Sequence, residues 1–217
     1  MNDYLVLLPI LIPLTGSAMA LLLRKRQRLQ AGWSLAAMLG GLATSVGLLA
    51  RTWYSGQPVV FQSGGWLAPF GISIVGDLLS ATMVVMSQVV LSLGIVYALG
   101  SRDQVVRYPA FYSIFLALAA GLTGAMLAGD LFNLFVFAEL LVFSGTILTA
   151  SSDDRLGAEA ALKYFYMSLL ASACLLLAIG SLYVSYGTLS MAGLALRIDT
   201  NPNATLLPVA IGLLIAT

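Results

Sequence analysis

The chain has 217 residues, of which 60% are hydrophobic and 9% charged, and 10 Lys+Arg against 9 Asp+Glu leave a net charge of +1. A soluble domain carries about 25% charged residues, so this chain lacks the polar surface to stay in water, and without a basic excess it is not built to bind nucleic acid. It has no His and one Cys, which excludes a Ser-His-Asp triad, a histidine zinc site, an internal disulfide and a thiolate cluster. What remains is an all-α multispanning membrane protein.

Crossing the hydrocarbon takes roughly 20 apolar residues. The first predicted span is about 4–23. Asp3 precedes it, and Arg24, Lys25, Arg26 and Arg28 follow it. That order is the reverse of a signal peptide, so the segment reads as a true span. The second span is about 31–50 and stops at Arg51. The stretch 52–76 is polar and glycine-rich, too broken for a span. Its piece Gly64-Gly65-Trp66-Leu67-Ala68-Pro69-Phe70-Gly71 combines turn residues with interfacial aromatics and suits the membrane–water boundary. Four more complete spans are predicted at about 77–100, 108–129, 131–150 and 161–186. A seventh begins near Ala204 and reaches Thr217. At about 21 Å it falls short of a core roughly 30 Å thick. The expectation is six complete transmembrane helices plus a truncated seventh.

Basic residues set the orientation. Alternate links hold Arg24, Lys25, Arg26, Arg28, Arg102, Arg107 and Arg155, and the other links hold only Arg51 and Arg197. The N-terminus is therefore expected outside, with the basic links facing the cytoplasm.

Most charges fall in links, where solvation and topology explain them. Glu139 does not. It lies eight residues inside the fifth span, in the run Leu131-Phe132-Asn133-Leu134-Phe135-Val136-Phe137-Ala138-Glu139, about 12 Å deep. An ionised carboxylate there costs several kcal/mol unless paired or hydrated, and leaving water favours the neutral form. A carboxyl that takes up and releases a proton in mid-membrane is what a proton relay needs; the simpler role is hydrogen-bonded glue between helices. Lys163 opens the sixth span. It reads either as a buried ammonium that exchanges protons with Glu139 or as a snorkelling side chain paired with Glu159 at i−4. Asp77 and Asp130 stand at the starts of the third and fifth spans. Both suit helix N-caps, and Asp130, nine residues outward of Glu139, also suits a mouth for protons or cations. Ser168 and Ser172 are ordinary for membrane helices. Asp153, Asp154 and Arg155 read as a turn rather than as catalytic groups of a lipid enzyme. No phosphate loop, cofactor box or metal cluster appears, and the oxygen ligands are too few and scattered for a sodium site.

Gly129-Asp130-Leu131-Phe132-Asn133 with Glu139 downstream resembles the fifth-helix motif of the D-type subunit of the Mrp-type multisubunit cation/proton antiporters. Those proteins share a broader group with the proton-pumping antiporter-like subunits of complex I and of membrane-bound hydrogenases. Leu7-Leu8-Pro9, Trp66-Leu67-Ala68-Pro69-Phe70, Ala161-Leu162-Lys163-Tyr164-Phe165 and Tyr186-Gly187-Thr188 agree in order and spacing, so the resemblance covers essentially the whole chain. It implies that the essential glutamate of the family's fifth helix falls on Glu139 and its sixth-helix lysine on Lys163. The family's central lysine of the seventh helix has no counterpart before Thr217. Members have about twice as many helices, in inverted repeats, so the resemblance implies the N-terminal part of such a subunit. It also implies the cell (inner) membrane, no cofactor, and as partners the other subunits of the complex, the lipid bilayer, protons and a monovalent cation, Na+ first.

Overall fold

The computed structural model describes residues 4–65, 71–101, 103–152, 155–202 and 205–217. The predicted interfacial piece 66–70, Asp3, Arg102, the Asp153-Asp154 turn and Ala204 lie outside the described residues. In chain order the helices are α1 (Leu8–Leu22), α2 (Gln27–Ser55), α3 (Leu78–Gly100), α4 (Gln104–Arg107), α5 (Phe111–Met126), α6 (Leu131–Ala150), α7 (Arg155–Tyr186), α8 (Met191–Thr200) and α9 (Leu207–Ile215). A single 3-10 turn, Tyr4–Val6, leads into α1.

The chain is mostly helical, with one departure from the all-α expectation. Between α2 and α3 the predicted broken link contains strands β1 (Val59–Gln62) and β2 (Ser73–Gly76), paired antiparallel from Val59↔Gly76 to Gln62↔Ser73. Val-Val-Phe is a good strand sequence, but four residues with no flanking period gave little signal. Gly56, at φ 62°, ends α2 in a left-handed cap five residues later than predicted.

Four helices, α2, α3, α6 and α7, are long and apolar enough to cross a membrane. α1 and α5 are equally apolar but have 15 and 16 residues. Pro109 precedes α5 and cuts the predicted span 108–129 at its start. Many large apolar side chains face outward, among them Val90 (67% exposed), Leu170 (63%) and Met167 (69%), as a lipid-facing surface requires.

Helices α1, α2, α3 and α5 form one bundle with two layers of core. One layer holds Met38, Ile95, Leu116 and Ala119; the other holds Val6, Ile10, Leu48, Ile74, Val84 and Leu127. Small residues let the backbones close up: a Cβ on Gly16 would stand 2.8 Å from that of Ala37. Helix α6 packs on α5, α7 on α6 and α9 on α7. The links sort to the two ends of the bundle. At one end Gln27 donates to the Arg107 carbonyl (2.9 Å), and Gln30 to those of Ala20 (3.0 Å) and Pro109 (2.9 Å). This tie gathers the α1–α2 link and α4 together, and with them Arg24, Lys25, Arg26, Arg28 and Arg107. The hairpin, the α5–α6 corner and α8 gather at the opposite end.

Candidate functional site

At the hairpin end, Asp130 is the N-cap of α6. One carboxylate oxygen accepts from the Asn133 N–H (2.7 Å), and the other from the Ser73 N–H of β2 (3.0 Å). Around it the Gly129 N–H donates to the Ser73 carbonyl (2.9 Å), the Leu131 N–H to that of Leu189 (3.0 Å) and the Met191 N–H to that of Gly129 (3.1 Å). The buried carboxylate, 5% exposed, thus pins β2 to α6, and the neighbouring backbone bonds bring the start of α8 to the same corner. Asp130→Ala leaves two backbone donors without acceptors, at about 1–3 kcal/mol for each buried one. We expect it to lower the thermal midpoint in detergent by several degrees, with Asp130→Asn, whose amide oxygen replaces only one of the two acceptors, losing about half as much or more.

Asp77 caps α3 through a reciprocal pair: its carboxylate accepts from the Ser80 N–H (2.7 Å), and its own N–H donates to the Ser80 hydroxyl (2.9 Å). The Ser80 N–H bond is the main reason its acidity is raised, with the carboxyl held below its ordinary 3.8. A lowered folded-state pKa stabilises above the unfolded value and is lost as pH falls through the folded one. Asp77→Ala should therefore cost about 1 kcal/mol at neutral pH, and the difference from wild type should shrink below about pH 4. Thermal melts at paired pH values check both.

Glu139 sits midway along α6, on the side facing α7. The Ser172 hydroxyl of α7 donates to its carboxylate. Both side chains line a cleft of about 340 Å³ with Ala138, Val142, Ser168 and Thr217. Two further contacts fix the antiparallel register of α6 and α7. The Phe143 and Phe165 rings stand 6.1 Å apart, and a Cβ on Gly145 would meet the Tyr164 hydroxyl at 3.6 Å. In that register a half-buried carboxyl, two serines and an open volume meet midway along the two helices. The arrangement can hold a proton on the carboxyl, orient it with the Ser172 hydroxyl and hydrate it from the cleft.

Lys163 is not part of this group. Its ammonium lies 2.5 Å from Glu159, and the two side chains are 74% and 55% exposed. This is the i−4 pairing of the simpler expectation. Lys163 lies nine residues from Ser172 along α7, about 13.5 Å by helical rise. Ser172 is unremarkable in the sequence, because nothing local marks a partner 33 residues away. Among the described residues no three His, Cys, Asp or Glu come together as a metal site.

Residues 128–217, which carry the Asp130 cap, Glu139 and Lys163, match the family described as NADH:quinone oxidoreductase/Mrp antiporter, TM. The chain is 33% identical to the D-type subunit of the Na(+)/H(+) antiporter of Bacillus subtilis (strain 168) over 99% of its own length and 43% of that protein. In residues 128–217 the chain is thus similar to the NADH:quinone oxidoreductase/Mrp antiporter family. A second relative, the D-type subunit of a probable K(+)/H(+) antiporter of Rhizobium meliloti (strain 1021), is 36% identical over 90% of the chain and 37% of the relative. The solved Mrp complex from Dietzia sp. DQ12-45-1b superposes with a TM-score of 0.87 at 26% identity, over 98% of this chain and 40% of the matched one. The chain thus spans about two fifths of the length of the Mrp relatives it matches.

Proposed function

We propose that this chain forms the proton-handling part of a membrane subunit in a multisubunit monovalent cation/proton antiporter, and that Glu139 is the carboxyl that exchanges protons at mid-membrane. The observation that carries the proposal is the Glu139–Ser172 contact at the edge of an open cleft between α6 and α7. An ionisable group held there is expensive unless it works. Protons driven across it draw about 2.3 kcal/mol per charge per 100 mV of membrane potential.

Lys163 and Glu159 are assigned as a second station, nearer the basic end, where the ion pair opens to pass a proton along the helix. Asp77 and Asp130 enter as the carboxylates that hold the far ends of α3 and α6 in place. In the proposed topology α1 and α5, extended by their flanking turns, complete six spans, and α9 enters a seventh. The N-terminus is outside, and the tied basic links face the cytoplasm of the cell membrane. The gathering of those links at one end of the bundle supports this orientation. Na+ is the proposed cation, the one named for the Bacillus subtilis relative, with K+, named for the Rhizobium meliloti relative, as the alternative.

The family also contains redox-driven pumps, so the experiment must separate the two. Everted vesicles holding the assembled complex are energised to an acid interior, and NaCl or KCl is added. Antiport shows as collapse of the pH gradient on cation addition. Proton movement that follows only quinone reduction, with no response to either cation, overturns the antiporter reading in favour of a redox-coupled one.

A further inference from the structure

The tied, basic end of the bundle carries two adjacent cavities that share one arginine. The first, about 360 Å³, is lined by Gln27 and Arg28 of α2, Leu99 and Ser101 at the end of α3, Arg107 of α4 and Tyr112 of α5. Among the described residues neither guanidinium has an ion-pair partner. The N-cap of α2, Arg26, makes no side-chain capping bond, and the positive end of the α2 dipole lies beside the same cavity. Two arginines and two hydroxyl side chains line it beside a helix N-terminus, and Gln27 holds α4 in place by its bond to the Arg107 carbonyl; that is the chemistry that recognises a phosphate diester.

The second cavity, about 490 Å³, lies on the other side of Arg28 and is lined by Leu23, Leu29, Gly32, Trp33 and Ala36. It is apolar and runs down the outer face of α1 and α2. Its shape depends on Gly32, where an added Cβ would meet nothing within 4 Å. The indole N–H of Trp33 donates to the Gly16 carbonyl (3.1 Å), fixing the groove wall.

We propose that these cavities together form a binding site for an anionic phospholipid. The phosphate sits between Arg28 and Arg107, and one acyl chain lies along the groove floored by Gly32. A free phosphate or nucleotide would use the first cavity and have no use for the second; the continuity of a cationic pocket with an apolar groove commits the site to lipid. Basic pockets between spans on the positive side of a membrane are where such headgroups bind. The site stands apart from the Glu139 cleft and does not rest on the antiport reading.

The test is native mass spectrometry of the full chain, extracted in neutral detergent, with added dioleoyl phosphatidylglycerol, dioleoyl phosphatidylcholine or inorganic phosphate. Phosphatidylglycerol should bind about tenfold or more tighter than phosphatidylcholine. Arg28→Gln and Arg107→Gln should each weaken it by about tenfold, the order expected for losing one charge-assisted contact. Arg24→Gln, the same charge change outside both cavities, should leave it unaltered. Gly32→Leu fills the groove and should weaken phosphatidylglycerol without changing the thermal midpoint of the lipid-free chain. Three results each overturn the proposal: displacement of the lipid by millimolar inorganic phosphate, an Arg24→Gln loss equal to that of Arg28→Gln, or unchanged affinity in Gly32→Leu.

Discussion

Glu139→Gln is expected to cut cation-driven proton exchange by at least about a hundredfold, the usual scale for removing a proton-transferring group, with the amount of assembled complex unchanged. The reason lies in what glutamine keeps. Its carbonyl oxygen still accepts the Ser172 hydroxyl, so the α6–α7 contact survives at a cost of about 1 kcal/mol or less. What it loses is the exchangeable carboxyl proton. Glu139→Asp keeps the proton but draws the carboxyl back toward α6 by one methylene, away from Ser172, and should give an intermediate rate. Ser172→Ala removes only the orienting hydroxyl and should slow exchange less than about tenfold. Transport at the wild-type rate in Glu139→Gln would remove Glu139 from the mechanism.

The largest structural effect is expected at Gly121. A Cβ there would stand 2.8 Å from the Leu141 backbone nitrogen and 3.1 Å from the Phe137 carbonyl oxygen of α6. Backbone cannot rotate away as a side-chain tip can, so α5 and α6 would have to part. Those two contact residues bracket Glu139, and the shift would fall on the turn that carries the carboxyl. Gly121→Ala should cost about 1–3 kcal/mol as an overpacked core does, and Gly121→Leu should prevent recovery of a folded chain. Gly180 of α7 has nothing within 4 Å of an added Cβ. Gly180→Ala is the internal comparison, and it should be neutral or stabilising by up to about 1 kcal/mol. Thermal unfolding of the two alanine variants in one detergent separates close approach from helix propensity. Equal midpoints for Gly121→Ala and Gly180→Ala would contradict the packing described.

Much of this was legible in the residues, and the limits have physical causes. Apolar runs of about 20 residues place helices whatever their neighbours do, so the six long predicted spans correspond to helices α1, α2, α3, α5, α6 and α7. Asp77 and Asp130 announce their caps locally, because an N-cap needs only a short acceptor before an apolar run. Long-range partners have no such signal. The Ser73 N–H that shares Asp130 lies 57 residues back, and the hairpin that presents it is too short for a period to show. Helix α8, capped by Ser190, fell inside a segment read as a link because its ten residues are amphipathic and cannot span. Glu139 stood out by its cost in the bilayer, whereas Ser172 became visible only once α6 and α7 were in register. Lys163 was balanced between two roles because helix spacing offered it Glu159 at one distance and the family's pattern offered it Glu139 at another. The folded chain pairs it with Glu159.

In the proposed function the Glu139 carboxyl itself binds and releases the transported proton. Infrared difference spectroscopy of the assembled complex in membranes, with pH stepped through the range over which transport turns on, tests this. The expected result is a protonated-carboxyl C=O band that grows and fades with transport, disappears in Glu139→Gln and persists in Lys163→Gln. Identical carboxyl difference bands in wild type and Glu139→Gln, with transport lost in the variant, would contradict it and leave Glu139 as a hydrogen-bond partner of Ser172 only.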